Sequence, residues 1–349
     1  MKIYPLMIIN IYINKMSRRR PPEGPKKPRR SQANDEDDTV PTLPKDIPIP
    51  PPEFHRIGRH ERYQDRKEWL SSVPPSAICN LSFSIGNPPK QFSEGMVGTS
   101  FGMGDGIAVK VVKKNKRSEE EIKWYLYFTD YILKKKGFPH FPLIYHVSEC
   151  QNVILHQTFG QKTLSTPIQP NPFGNFVICS ELADGNMKDI LIKNTLTPKQ
   201  IMGMITQVVM ACLELEEKEI IHNDLEPGNI LYHSYPEKKP IEYMIDATTM
   251  IRLPDQDRLW VLWDFGMMVS NGEEDPRRDN NKMIDTLTND LKMTFFTILS
   301  RFYSINTNFP KFRALMEVID SGGIKNVREL VGEMARMGWF EMIEMIEIE

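Results

Sequence analysis

Apolar residues recur along this chain with two different periods, and each period predicts its own kind of element. Alternation with β-branched residues at 96–101 and 107–112 predicts a hairpin that turns at Gly104-Asp105-Gly106. Short strand-like runs follow between residues 138 and 181. Apolar residues at helical spacing over 198–218 predict a buried helix. These runs supply the central elements of the predicted fold.

Further stretches predict elements around this centre. Residues 54–70 have helical spacing with mixed charge, and AICNLSFSIG at 77–86 is strand-like. Strand-like segments within 235–257, separated by polar turns, predict an added hairpin. The apolar stretch LKMTFFTILSRFY at 291–303 predicts a helix, and the remaining residues to 349 predict two or three helices.

Length and composition are those of an ordinary folded protein. The 349 residues suit one two-lobed domain plus tails, and 40% apolar residues can fill its core. A formal net charge of −2 provides no general attraction to nucleic acid or to membranes. The four cysteines are widely spaced and form no C-x-x-C pair. This spacing predicts reduced, mostly buried thiols in an intracellular protein and argues against a structural zinc site.

The N-terminal residues differ in composition from the rest. Residues 1–14 are apolar but too short to span a bilayer as a helix, and no small-residue cleavage site follows them. We expect that residues 1–15 precede the natural start at Met16 or form an unstructured extension, without stable membrane insertion; a membrane anchor is the lesser alternative. Residues 17–52 are rich in proline and charge, so disorder is predicted over 1–52. The basic cluster at 18–30 is either a tail for nucleic-acid contact or nuclear import, or a solvated linker.

The chemistry of the chain is concentrated in two short motifs. HNDLEPGNIL occupies residues 222–231, and WDFG occupies residues 263–266. Asp224 can orient a hydroxyl nucleophile, while Asn229 and Asp264 offer hard oxygen ligands that can hold Mg²⁺ against the phosphates of a nucleotide. Phosphoryl transfer depends mainly on positioning and on charge neutralisation by metal ions and cations. The two motifs together therefore predict a phosphoryl-transfer site.

These motifs resemble the catalytic loop and the Asp-Phe-Gly metal motif of protein kinases. Upstream, Ala108-Val109-Lys110 resembles the V-A-I-K strand of that family, whose lysine binds the α- and β-phosphates of ATP. The resemblance covers about residues 80–305. It implies a kinase-like α+β domain over 53–349, with a small β-rich lobe at about 76–181 and a mostly helical lobe at about 182–349. It also implies ATP and Mg²⁺ as cofactors, Asp224 as the catalytic base, and Asn229 and Asp264 as the metal ligands.

The helix after Lys110 is expected to supply the partner of that lysine. Ser118 is the predicted N-cap, and three glutamates follow in the first turn, where acidic side chains suit the helix dipole. Glu121-Ile122-Lys123-Trp124-Tyr125 resembles the E-x-K-x-Y stretch of casein kinase one and the vaccinia-related kinases. The resemblance implies that Glu121 forms the catalytic ion pair with Lys110, with Glu120 as the alternative.

The remaining cofactor-binding residues are assigned by the same resemblance. Glu181-Leu182-Ala183 resembles the kinase hinge, so Glu181 and Ala183 are implied in holding the adenine ring through backbone groups. The family string G-x-G-x-x-G is absent from the sequence. We predict that residues 86–95, from Gly86 to Gly95, form the loop over the phosphates instead. Asp290 resembles the buried aspartate that supports the catalytic loop from below.

The sequence also departs from the kinase pattern. Asn223 stands where many kinases carry the arginine before the catalytic aspartate, and Glu226 stands where Ser/Thr kinases carry a lysine. No A-P-E string follows Gly266. The hairpin inserted before WDFG resembles kinases encoded by large nucleocytoplasmic DNA viruses. This resemblance implies a viral protein in the host cytoplasm or the virion, or in the nucleus if the basic tail directs import.

Three functions remain open at this point. The favoured one is a monomeric, ATP- and Mg²⁺-dependent protein kinase that acts on Ser/Thr hydroxyls. The motif HNDLxxGN also resembles the loop of choline and aminoglycoside phosphotransferases, and Glu226 favours such a small-molecule kinase. A pseudokinase scaffold is the third, although its usual signature, the loss of the lysine, the base or a metal ligand, is not found.

Overall fold

The small lobe is built on a five-stranded antiparallel sheet in the order β1-β2-β3-β7-β4. The computed structural model describes residues 59–82, 90–94, 98–103, 106–135, 138–159, 162–193, 195–246, 248–270, 290–292, 294–295 and 310–344. In chain order, the elements of this lobe are α1 (Arg59–Ser72), α2 (Pro75–Cys79), β1 (Lys90–Glu94), β2 (Gly98–Met103), β3 (Ile107–Lys113), α3 (Lys116–Lys135), β4 (Ile144–Cys150), β5 (Val153–Phe159), β6 (Lys162–Ile168) and β7 (Asn175–Glu181).

The predicted hairpin is present as β2 and β3. The strands pair antiparallel, with Ser100 opposite Lys110 and Met103 opposite Ile107. Residues 107 and 109–112 are all buried, so both faces of this strand are covered. Strand β3 is central, and β7 pairs with it along its whole length. Lys110 therefore sits in the middle of a rigid sheet.

The large lobe combines helices with a second sheet. Its elements are β8 (Gly185–Asn186), α4 (Met187–Lys193), α5 (Pro198–Glu217), β9 (Ile220–Ile221), β10 (Ile230–Met244), β11 (Thr249–Leu262), β12 (Val269–Ser270), α6 (Pro310–Asp320), α7 (Val327–Arg336) and β13 (Glu341–Glu344). The sheet has the order β13-β11-β10-β8. The predicted inserted hairpin is present as β10 and β11. It is longer than the predicted range 235–257, because the two strands are already paired at Ile230 and Leu262.

Helix α5 is the predicted buried helix. Thr197 and Gln200 form a capping box, with each side chain accepting a hydrogen bond from the backbone N–H of the other. Pro198 occupies the first helical position, where its missing N–H is not needed. The run from Met204 to Leu215 is buried, so this helix forms the centre of the large lobe beneath the catalytic loop.

One predicted element is wrong in kind. Residues 77–79 belong to the helix α2 rather than to a strand, because Pro75 favours a helical start and the turn buries Ala77 and Ile78. The helices predicted in the C-terminal residues are present as α6 and α7, and a strand that was not predicted, β13, follows them and pairs with β11. Residues 83–86 of the predicted strand, most of the helix predicted at 291–303, and the predicted tails at 1–52 and 18–30 lie outside the described residues. No helix in the described part of the chain has the length and apolar character needed to cross a membrane.

The two lobes are joined through the segment that precedes β4. His140 donates a hydrogen bond from Nδ1 to the carbonyl of Trp260 at 2.7 Å, and its Nε2 lies 2.8 Å from the hydroxyl of Tyr243. The backbone N–H of Leu262 donates to the carbonyl of His140 at 2.8 Å. Burial lowers the pKa of His140 to about 4, which keeps the ring neutral and suits one donor and one acceptor nitrogen. Strand β11 is thereby fixed just before the second catalytic motif.

The expectation of four reduced cysteines is wrong for one pair. Cys79 and Cys150 form a disulfide across 71 residues, with their Cα atoms 5.6 Å apart. The packing of α2 against β4 brings the two residues together, and sequence spacing does not show such packing. Cys179 and Cys212 are free and buried.

Loss of this disulfide is expected to lower the free energy of unfolding by about 2–4 kcal/mol, because the bond restricts a long loop in the unfolded chain. Denaturant unfolding with and without a reducing agent measures the effect. The double variant Cys79→Ser/Cys150→Ser is the control, and it should no longer respond to reductant. An equal response of wild type and variant would contradict the prediction.

Helix α5 approaches β11 so closely that Gly203 has no room for a side chain. A Cβ at this position would lie 2.2 Å from Gln256 Oε1. Gln256 cannot move freely, since its side chain hydrogen-bonds Gln207 and the carbonyl of Pro254. The contact sets the spacing between the large-lobe core and the inserted hairpin.

Gly203→Ala is therefore expected to destabilise the protein by about 1–3 kcal/mol, although alanine is the better helix former. The matched control is Gly332→Ala in α7, where a Cβ meets nothing within 4 Å. That substitution is expected to stabilise by about 0.5–1 kcal/mol. Urea unfolding of both variants provides the test. Effects of the same sign would show that α5 and β11 are not packed this closely in solution.

Candidate active site

Lys110 joins two carboxylates from different parts of the chain. Its Nζ lies 2.5 Å from Glu121 Oε1 on α3 and 2.9 Å from Asp264 Oδ1 after β11. Burial, which lowers the pKa of Lys110, is outweighed by the charges of both carboxylates, so its pKa lies above the usual value. The ammonium is thus charged inside the protein, and the predicted ion pair with Glu121 is formed.

Two features of helix α3 determine where Glu121 lies: the hydrogen bonds at the start of the helix and the packing of an aromatic side chain. Asn115 and Ser118 exchange side-chain hydrogen bonds with each other's backbone N–H at 3.0 Å. The predicted N-cap, Ser118, therefore lies inside the first turn, and Asn115 precedes the helix. Tyr125, one turn after Glu121, packs its ring 4.7 Å from that of Phe265. The helix is fixed against the second motif by this ring contact as well as by the ion pair.

The catalytic loop is held from below by Asp290. Its carboxylate accepts hydrogen bonds from the backbone N–H of Asn223 at 2.7 Å and of Leu225 at 3.0 Å. Asn223 has φ +62°, a left-handed conformation that asparagine adopts more readily than most residues. The buried His222 lies with Nε2 3.0 Å from the carbonyl of Trp263, so it anchors the loop to the second motif. Asp224 lies between Asn223 and Leu225, whose backbone N–H groups both bind Asp290.

Asp224 is an exposed residue whose carboxylate is partly desolvated by the groups around it. Asn229 donates from Nδ2 to the carbonyl of Asp224 at 2.9 Å and to its Oδ2 at 3.2 Å. Burial and the negative charges of Asp264 and Glu226 raise the pKa of Asp224 to about 6. A carboxylate in such surroundings accepts a proton more readily than an exposed one, as a general base requires.

Asn229 and Asp264 are the residues predicted to hold a divalent cation. The amide nitrogen of Asn229 is engaged with Asp224, which leaves its Oδ1 as the outward donor atom. Lys110 engages Oδ1 of Asp264, whose side chain is 39% exposed. The described part of the chain contains no group of three His, Cys, Asp or Glu side chains that could enclose a metal. One carboxylate and one amide oxygen fit Mg²⁺, which usually retains waters and binds substrate phosphates.

The hinge segment carries an ion pair that the sequence did not indicate. Arg59 of α1 donates from Nε to Glu181 Oε2 at 2.8 Å and from Nη1 to the carbonyl of Pro139 at 2.6 Å. The N–H of Leu143 also donates to Glu181 at 3.0 Å. Burial would raise the pKa of Glu181, but the adjacent guanidinium lowers it to about 2. The carboxylate of Glu181 is thus committed to the protein, while its backbone and the half-buried Ala183 continue the hinge.

The prediction for the phosphate loop is wrong in its extent. Residues 90–94 form the strand β1, which pairs with β2 from Lys90–Gly102 to Glu94–Thr99. Gly86 and Gly95 themselves lie outside the described residues. Residues 90–94 of the predicted loop are therefore strand rather than loop.

A family model for protein tyrosine and serine/threonine kinases matches residues 100–284, more than half of the chain. This protein belongs to the protein tyrosine and serine/threonine kinase family. Its fold is accordingly the α+β bilobal kinase fold, and its class is that of the protein phosphotransferases. No curated protein matches the chain.

The structure of this kinase brings together most of the residues that the sequence singled out. Lys110, Glu121 and Asp264 are in direct contact, and Asn229 contacts Asp224. The side chain of Glu181 is turned away to Arg59, and the two glycines of the predicted loop are not among the described residues. Sequence reasoning missed Arg59, which binds Glu181, and Arg117, which donates a hydrogen bond to the carbonyl of Gly266. No local signal could have revealed them, because each acts on a residue more than 100 positions away.

Proposed function

We propose that this protein kinase transfers the γ-phosphate of ATP to Ser/Thr hydroxyls of proteins in a Mg²⁺-dependent reaction. One observation carries the proposal: a buried ammonium, Lys110, holds both Glu121 and Asp264, next to a carboxylate of raised pKa, Asp224. This set has a cation for phosphates, a metal ligand and a base in one place. The match to the kinase family supports a protein acceptor.

Each residue of the site has its own role in the proposed reaction. Lys110 binds the α- and β-phosphates and is kept in place by Glu121. Asn229 and Asp264 would hold Mg²⁺, which would neutralise phosphate charge. Asp224 orients the acceptor hydroxyl and takes its proton as the oxygen bonds to the γ-phosphorus, and the bond from that phosphorus to the β-phosphate oxygen breaks to release ADP. Preorganised charges of this kind account for most of the rate of phosphoryl transfer.

The adenine ring is bound by backbone groups of the hinge, from Glu181 to Ala183. Arg59 and Leu143 hold the side chain of Glu181, and the N–H of Leu182 donates to the carbonyl of Gly106 at 2.9 Å. The hinge is therefore rigid before a nucleotide binds.

A small-molecule kinase is the second candidate, because Glu226 lies close enough to raise the pKa of Asp224. An acidic group in that place suits a cationic acceptor such as an amino alcohol or aminoglycoside. We also propose a relationship to casein kinase one and the vaccinia-related kinases, a viral origin, an intracellular location and a monomeric state. The stretch Glu121–Tyr125 and the inserted hairpin β10–β11 support the first two of these.

Transfer of radiolabelled phosphate from ATP tests the function. Wild type is incubated with itself, casein, a basic protein, choline and an aminoglycoside, with and without Mg²⁺. Labelled phosphoserine or phosphothreonine supports the proposal, and Lys110→Ala should abolish it while Lys113→Ala on the same strand should not. Labelling of a small molecule alone would replace the protein acceptor. Nucleotide binding without any transfer would indicate a scaffold.

A further inference from the structure

Arg117 contacts the second catalytic motif from the start of α3. Its Nε donates a hydrogen bond to the carbonyl of Gly266 at 2.9 Å. A Cβ on Gly266 would lie 3.4 Å from Nε and Nη2 of Arg117 and 3.4 Å from Oε2 of Glu121. The guanidinium, the Asp264–Gly266 turn and the Glu121 carboxylate therefore meet at one point.

The turn that Arg117 contacts is short, and its Phe265 packs against Tyr125 of α3. Asp264 has φ +63°, a left-handed conformation that is unfavourable for an L-residue and persists only when its surroundings enforce it. A single 3₁₀ turn follows at 265–267, and the next strand, β12, has two residues. Lys110 holds the carboxylate of Asp264, and Arg117 holds the carbonyl two residues later. Both contacts come from the small lobe.

The charge of Arg117 also reaches the two aspartates of the site. Burial, which raises the pKa of Asp264, is outweighed by the positive charge of Lys110 and its hydrogen bond, and the charge of Arg117 lowers the pKa further. For Asp224, the charge of Arg117 partly offsets the burial that raises its pKa. The charge of Arg117 thus lowers the pKa of both aspartates.

We propose that Arg117 is a positioning residue: it fastens the Asp264–Gly266 turn to α3, so that the metal ligand Asp264 and the ion pair of Lys110 with Glu121 are assembled together. Arg117 and Glu121 lie one turn apart on the same helix, so one helix turn contacts both the lysine partner and the turn that carries the metal ligand. The inference rests on the proposed phosphoryl transfer, and it adds Arg117 to the residues that position its site.

The test compares Arg117→Met, which keeps the aliphatic chain and removes the donor and charge, with Arg117→Lys, which restores a donor and the charge. Lys123→Met, an exposed lysine on the same helix, is the matched control. For Arg117→Met we expect kcat to fall about 10- to 100-fold. The Mg²⁺ concentration for half-maximal rate should rise, while nucleotide affinity without Mg²⁺ and the unfolding midpoint stay near wild type. Arg117→Lys should recover part of the loss.

Hydrogen exchange of the backbone amides in 263–268 provides a readout that needs no activity. Arg117→Met should exchange faster there than wild type and Lys123→Met. Unchanged exchange, or unchanged kcat together with an unchanged Mg²⁺ requirement, would overturn the proposal. If wild type itself transfers no phosphate, the proposed function fails, and the exchange result still decides whether Arg117 holds the turn.

Discussion

Asp224→Asn is expected to reduce kcat for phosphoryl transfer by about 100-fold or more, in the range that general bases contribute. Asparagine keeps the shape of the side chain and can still accept the hydrogen bond from Asn229, but it cannot take the proton of the acceptor hydroxyl. Binding of ATP with Mg²⁺ should remain close to wild type, because Lys110, Asn229 and Asp264 are unchanged. Single-turnover transfer and nucleotide titration measure the two quantities.

Stability distinguishes this loss of function from a loss of structure. The Asp224 carboxylate is destabilised by burial and by the charges of Asp264 and Glu226, as its raised pKa shows. A neutral amide removes that repulsion, so the unfolding midpoint of Asp224→Asn should equal or exceed that of wild type. An inactive variant with an unchanged midpoint supports the role of Asp224. Retention of wild-type kcat would rule it out as the base.

Arg59→Met is expected to lower the free energy of unfolding by about 3–5 kcal/mol, because it leaves the Glu181 carboxylate buried without its counter-ion. Arg59 also donates to the carbonyls of Pro139 and Phe141, and these bonds are lost too. Denaturant unfolding at neutral pH measures the effect. Arg59→Met/Glu181→Gln is the matched control, and it should recover much of the loss, since no buried charge remains.

The effect of Arg59→Met should depend on pH in a defined direction. In wild type the pKa of Glu181 is about 2, below its ordinary value of 4.5, so its contribution to stability is present above pH 4.5 and is lost as the pH falls towards 2. In the variant, burial without a partner favours the protonated carboxyl. The stability difference between the two proteins should therefore shrink as the pH falls below 4.5. A difference that stays constant from neutral pH to pH 3 would contradict the ion-pair explanation.

Local sequence determined the elements and residues that depend on neighbouring positions. The β2–β3 hairpin follows from alternation around a glycine turn, and α5 follows from its helical period and its Thr197 cap. The two catalytic motifs were recognisable because short stretches of chain fix the spacing of Asp224 to Asn229. Lys110 could be chosen from its apolar strand, where an ammonium without a partner would be costly to bury.

Tertiary structure alone decided the contacts between distant parts of the chain. Cys79 meets Cys150, Arg59 meets Glu181, and Arg117 meets Gly266 only after helices from the small lobe have packed against strands and turns far along the sequence. β13 likewise joins β11 across about ninety residues, and that pairing is absent from any local pattern. Hydrophobic period specifies which face of an element is buried. It does not specify which other element covers that face, and the side chains that hold the hinge and the Asp264 turn depend on that choice.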